Sequence, residues 1–172
     1  MTPGYLLVDG YNVIYAWPEL RELGNLEHAR ARLVELLASY GAFRGIKVIV
    51  VFDSPATVSQ PPQDIDGVTV IYATAPHQAD HVIEALAHRL SGLEGLTVTV
   101  ASSDSLERRL VFGSGCQRLS AVELAREVQR TLSTMNRKYG RKQPSARPVS
   151  VADRLAEPVR EALRRFRPGR KT

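Results

Sequence analysis

Cysteine is nearly missing from this chain: of 172 residues only Cys116 carries a thiol. One cysteine cannot close an internal disulfide, and it cannot supply the paired thiolates of a structural zinc site. With no activating partner beside it in the sequence, Cys116 reads as a packing residue rather than a nucleophile. Long apolar runs are missing as well. None approaches the ~18 residues a membrane span needs, and no basic segment leading into a long apolar stretch opens the chain. These absences imply a soluble protein of the reducing cytoplasm with no membrane partner. No G-x-G-x-x-G follows the first apolar run, which argues against a dinucleotide fold, since Gly113 and Gly115 come late and after a predicted helix. The second acid that a haloacid-dehalogenase-type phosphatase places two residues after its first is lacking too, because Tyr11 stands two places after Asp9.

Hydrophobic residues make up 44% of the chain, enough for one domain with a real core. Its charge is unevenly spread. Residues 1–135 hold 11 Lys and Arg against 15 Asp and Glu, net −4, whereas residues 136–172 hold 12 against 3, net +9. An acidic body over 1–135 with a basic carboxy-terminal arm over 136–172 suits a catalytic or structural core carrying a polyanion-binding limb. The plain alternative is a solubilising tail. Arginines and lysines interleaved with Tyr139 in NRKYGRKQPSARP favour nucleic acid, because guanidinium groups bind phosphate and an aromatic ring stacks on bases. Lys138, Arg141, Lys142, Arg164 and Arg165 are representative RNA contacts, chosen by charge and clustering.

Apolar runs and helical spacing alternate along the body. YLLVD (5–9) predicts a buried strand, and Leu26, Ala29, Leu33, Leu36, Leu37 and Tyr40 mark a helix that ends near Gly41 and Gly45. KVIVVFD (47–53) is the clearest strand, residues 55–66 read as a loop, and GVTVIYAT (67–74) as a strand leading to a helix over 78–90. LTVTVASSD (96–104) is a further strand, followed by a short helix over 106–112. Ser120 and Glu123 form a capping box for a helix reaching about Arg137, and a last amphipathic helix lies near 151–166, beyond a Pro-rich link. Alternation of this kind predicts parallel strands with right-handed crossovers, hence an α/β protein, a three-layer α/β/α sandwich with a mainly parallel central sheet and a basic helical extension.

Ligand sites in such folds form beyond the carboxyl ends of the strands. Asp9, Asp53 and Asp104 each end a predicted strand, and Asp80 opens the helix after the third. Each has an ordinary reading: Asp9-Gly10 is a hairpin dipeptide, Asp104 precedes a helix it could cap, and Asp80 gains from a helix N-terminus. Gathered in one cleft, however, carboxylates repel, raise one another's proton affinity and favour a bound cation. Hard oxygen donors suit Mg²⁺ or Mn²⁺, which promote phosphodiester hydrolysis by acidifying water and neutralising phosphate charge. Gly10 would allow the backbone to turn close to metal or phosphate, and the Asn12 amide could orient Asp9 or donate to the phosphate.

VDGYNVI (8–14), VVFD (50–53), QAD (78–80) and ASSD (101–104), in this order, resemble the NYN domains, a branch of the PIN-like nucleases. AWPEL (16–20), the stretch 111–128 and the basic tail are similar to the bacterial YacP group, which includes a ribosome-associated endoribonuclease. The resemblance implies a metal-dependent endoribonuclease acting on single-stranded RNA, messenger RNA in particular, with the ribosome as a partner. It further implies that Asp9, Asp80 and Asp104 match the acidic catalytic positions, Asn12 the Asn after the first acid, and Asp53 a further metal ligand. Acidic residues often flank the central Asp in this family, whereas His77 and His81 stand there in this chain, which leaves the metal open.

His77, His81, Glu84 and His88 share one helical face and offer a zinc alternative, but the wide spacing of His88 disfavours it and solvated histidines are the simpler reading. Trp17 reads as a core anchor rather than a stacking platform. Besides the nuclease, two readings remain: an RNA- or ribosome-binding module with little catalysis, and a small-molecule phosphatase.

Overall fold

Apolar stretches with no polar alternation become strands covered on both faces, and here they fill the middle of one sheet. The structure, a computed structural model, describes residues 3–102, 116–140, 149–150 and 155–166. The strands are β1 (Gly4–Asp9), β2 (Lys47–Ser54), β3 (Gln63–Ile65), β4 (Val68–Thr74), β5 (Thr97–Ser102), β6 (Cys116–Ser120) and β7 (Val149–Ser150), in the spatial order β6-β5-β1-β2-β4-β3-β7. β3 runs antiparallel to both its neighbours, and every other pairing is parallel. The helices are α1 (Gly10–Ala16), α2 (Pro18–Arg21), α3 (Leu26–Arg44), α4 (Ala79–Ser91), α5 (Ala121–Tyr139) and α6 (Glu157–Arg164).

Period-two alternation sorts the sheet residues between two cores. Leu6, Val8, Val48, Val50 and Phe52 pack with α1, α2, α3 and α5, while Tyr5, Leu7, Ile49 and Val51 pack with α4 and α6. The result is the expected three-layer α/β/α sandwich around a mainly parallel sheet. Trp17 is fully buried in the first core. Within the basic segment, α6 turns Val159, Ala162 and Leu163 into the second core, and Glu161 forms an ion pair with Arg89 of α4.

Local chemistry sets most element boundaries. The Asn25 side chain accepts from His28 N at 3.1 Å to begin α3, and Gly45, at φ 66°, ends it. The capping box opens α5: Ser120 N donates to Glu123 Oε2 at 2.8 Å, and Glu123 N donates to Ser120 Oγ at 3.2 Å. Ser120→Ala removes one of these bonds, so the unfolding midpoint in urea should fall with an unchanged slope, by an amount equivalent to about 1 kcal/mol.

Three features differ from the sequence-based expectation or fall outside what is described. Residues 63–65, expected in a loop, form β3, joined to β4 by Asp66 (φ 53°) and Gly67 (φ 85°), the two-residue turn with both φ positive that tightens a hairpin. Residues 116–120 form an edge strand; its sequence CQRLS exposes Gln117 and Arg118 and so has no apolar run to announce it. The helix expected at 106–112 lies outside the described residues.

Candidate active site

Strand alternation puts Asp9 on the same side as Tyr5 and Leu7, and Asp53 on the side of Ile49 and Val51. Both acids therefore end adjacent parallel strands on the face covered by α4, whose second residue is Asp80. Two of the three also hold a helix start. Asp9 Oδ1 accepts from Asn12 N at 3.3 Å and caps α1, and Asp53 Oδ1 accepts from Ala79 N at 2.7 Å and fixes the first turn of α4. That second bond, spanning 26 residues, is what brings Asp80 to the end of β1 and β2.

Asp80 lies close enough to Asp9 for its charge and its carboxyl oxygens to act on the Asp9 carboxyl group. Asp9 is only 7% exposed. Burial pushes its pKa from the ordinary 3.8 up to about 6; the negative charges of Asp80 and Asp53 push the same way, against the Asn12 backbone N–H, which lowers it. Neighbouring carboxylates repel, and a bound divalent cation would offset that repulsion. In donor chemistry the pair fits Mg²⁺ or Mn²⁺. Among the described residues no three His, Cys, Asp or Glu side chains form a group that could hold a metal ion. Asp104, expected to complete the set, lies outside the described residues.

The other expected residues are placed as follows. Asn12 is half-buried, and the contact the structure gives it is through its backbone N–H rather than its amide side chain. Gly10 is buried against the ring of Phe52, so the close approach it permits is to that ring. His81 Nδ1 accepts from Gln78 N at 3.5 Å within the cap of α4, and His77 meets Phe166 edge-on at 5.0 Å between ring centroids, so each has a structural use. Lys138 and Arg165 are exposed, Arg164 pairs with Glu157 at 3.1 Å, and Arg141 and Lys142 lie outside the described residues. Sequence reasoning passed over Ser102, which is 2% exposed at the carboxyl end of β5. A serine closing an apolar strand beside three strand-end acids was the available signal. Arg30, which donates to Tyr11 Oη at 2.8 Å from 19 residues away, gave none.

An α/β/α sandwich whose parallel sheet gathers aspartates at its carboxyl edge has the architecture of the PIN-like class. Comparison with known proteins narrows this. The family model for the YacP-like NYN domain matches residues 6–168, and the chain belongs to that family. It is 38% identical over 167 residues to YacP of Bacillus subtilis (strain 168), covering 95% of this chain and 96% of that protein. The crystal structure of a mutant of Bacillus subtilis Rae1 (YacP) is similar with a TM-score of 0.68 at 34% identity, covering 95% of this chain and 92% of that one. A second crystal structure of Bacillus subtilis Rae1 (YacP) gives 0.65 at 38% identity over 78% of each chain. Membership in a nuclease family ties the chain to RNA-related function. Among the described residues no helix is long and apolar enough to cross a membrane.

Proposed function

We propose that the chain is a divalent-metal-dependent endoribonuclease that hydrolyses phosphodiester bonds in single-stranded RNA of the cytoplasm, messenger RNA among its substrates, with the ribosome as a partner. The observation that carries this reading is a buried aspartate, Asp9, at the carboxyl edge of a parallel sheet, its pKa raised by burial and by the neighbouring charges of Asp80 and Asp53. Structural needs alone favour a neutral side chain at such a position, because an ionised carboxylate there is both desolvated and repelled.

Asp9 and Asp80 would hold Mg²⁺ or Mn²⁺, with Asp104 completing the set as the family resemblance implies and Asp53 lending charge from its place at the start of α4. Bound there, the ion supplies positive charge to the phosphate and lowers the pKa of water. Asp53 and the Asn12 N–H contribute position: one fixes α4 and the other fixes the rotamer of Asp9. The basic arm over 136–172, with Lys138, Arg141, Lys142, Arg164 and Arg165, attracts the RNA backbone, and binding through it should weaken steeply with salt.

The test is direct. Purified protein should cut a labelled single-stranded RNA with Mn²⁺ or Mg²⁺, stop on addition of EDTA, and lose cutting by at least about 100-fold in Asp80→Asn while still retaining RNA on a filter. Retention without cutting by the unaltered chain would make it a binding module. Equal cutting by both proteins would place the chemistry elsewhere.

A further inference from the structure

A cavity of about 260 Å³ opens beside the acidic edge, lined among others by Pro61, Pro62, Thr74, His77, Leu163 and Phe166. Its walls come from the segments that carry the acids. The loop after Asp53 supplies the prolines, the turn between β4 and α4 supplies His77, three residues before Asp80, and α6 closes the far side. That turn is fixed, since His77 N donates to Thr74 O at 3.0 Å. The His77 and Phe166 rings stand at 88° to each other, so a flat group can face one ring while its rim meets the other.

The volume lies just under the roughly 300–1,000 Å³ of sites for drug-sized ligands, the right scale for one ring system. The Arg160 guanidinium also borders the cavity, but it donates to Leu155 O at 3.1 Å and lies 3.4 Å from Glu157, so its charge is already partly met. Mainly apolar walls with Ser59, Gln60 and Thr74 among them, two perpendicular rings and a partly balanced cation suit a neutral aromatic heterocycle better than a phosphate. Asp80 follows His77 by three residues, at most about 11 Å of chain, so a strand with its phosphate at the acids would bring a neighbouring base within reach of the cavity.

We infer that this cavity takes one unstacked base of the RNA strand, next to the phosphate that would be cut at the Asp9–Asp80 edge, and so positions the strand for cutting. The inference rests on the RNA reading given above. Stacking on an aromatic wall is the usual way single-stranded RNA is gripped without sequence readout, and it separates one base from its neighbours.

The experiment uses the full chain and a set of twelve-nucleotide RNAs carrying 2-aminopurine or an abasic nucleotide at each position in turn. With Ca²⁺ in place of Mn²⁺, binding should change 2-aminopurine fluorescence most at one position, and an abasic nucleotide there should weaken binding about tenfold. His77→Ala should abolish both effects. Phe166→Leu, which keeps an apolar side chain under α6 but removes the ring, should do the same while retaining the unfolding midpoint. Indifference to the abasic position, a positional effect that survives both substitutions, or absence of RNA binding overturns the inference. The nuclease reading is scored separately by adding Mn²⁺. RNA bound with the positional effect yet left intact keeps the base site and removes the hydrolase; cutting without a positional effect does the reverse.

Discussion

Asp9→Asn should raise the unfolding midpoint of the metal-free protein at pH 7 and abolish RNA cleavage. In the folded chain Asp9 has a pKa of about 6, against 3.8 for an ordinary carboxylate, so the fold binds its proton more tightly than the unfolded chain does. Stability contributed by the neutral form is therefore fully present below pH 3.8 and declines as pH rises through 6. A shift of roughly two units corresponds to about 3 kcal/mol, all of it lost at neutral pH. Asparagine is nearly isosteric, carries no charge, and is as good a helix cap as aspartate, so the bond from Asn12 N to the side chain survives the change. Urea titrations at pH 4.5 and 7.5 should show the variant gaining on the native chain as pH rises. Adding Mn²⁺ should reverse the order by stabilising the native protein alone. A variant less stable than the native chain at pH 7.5 without metal, or parallel pH profiles for the two proteins, would defeat the account of a strained acidic pair.

The placing of Asp9, Asp53 and Asp80 along one edge of the sheet was legible because it obeys local rules. An apolar run ending in an acid gives a strand end, period-two alternation gives the face, and an acid opening the next helix gives a third group for the same edge. The spatial gathering then follows from parallel topology, as the bond from Ala79 N to Asp53 shows. The dipeptide Asp-Gly marks where local rules fail. It occurs as 9–10 and as 66–67, and only the second is a hairpin turn. At 66–67 both residues take positive φ between two pairing strands, whereas Asp9 has φ −76° and ψ 102° and caps a helix whose first residue is Gly10. The dipeptide is the same, so the flanking elements decide. β6 was hidden for a related reason: an edge strand needs one partner and one covered face, which CQRLS satisfies with hardly any apolar signal. The meeting of His77 with Phe166 joins residues far apart in sequence through the docking of α6 on α4, which no local pattern encodes.

Gly10 presents the sharpest case, because the usual rule and the structure predict opposite signs for Gly10→Ala. Gly10 is the first residue of α1 and its φ is not positive, so backbone freedom gives no reason for a glycine, and alanine in a helix is ordinarily favoured by up to about 1 kcal/mol. A Cβ at this position, however, would lie 2.2 Å from Phe52 Cε1 and 2.4 Å from Cδ1. Phe52 has no room to yield: it is fully buried, edge-on to Tyr11 at 5.3 Å and stacked with Tyr72 at 5.8 Å. The steric cost must then be met by moving α1, and with it the cap that orients Asp9. Gly10→Ala should lower stability by about 1–3 kcal/mol. It should also reduce RNA cleavage by about 100-fold, as misplacement of a reacting group by an ångström can do. Phe52→Leu shortens the offending side chain. The double variant should therefore be more stable than the two single losses predict together, by about 1 kcal/mol of favourable coupling in a denaturant cycle. If Gly10→Ala matches or exceeds the native stability, or the two changes simply add, the ring does not hold this turn in place and the positioning of Asp9 must come from elsewhere.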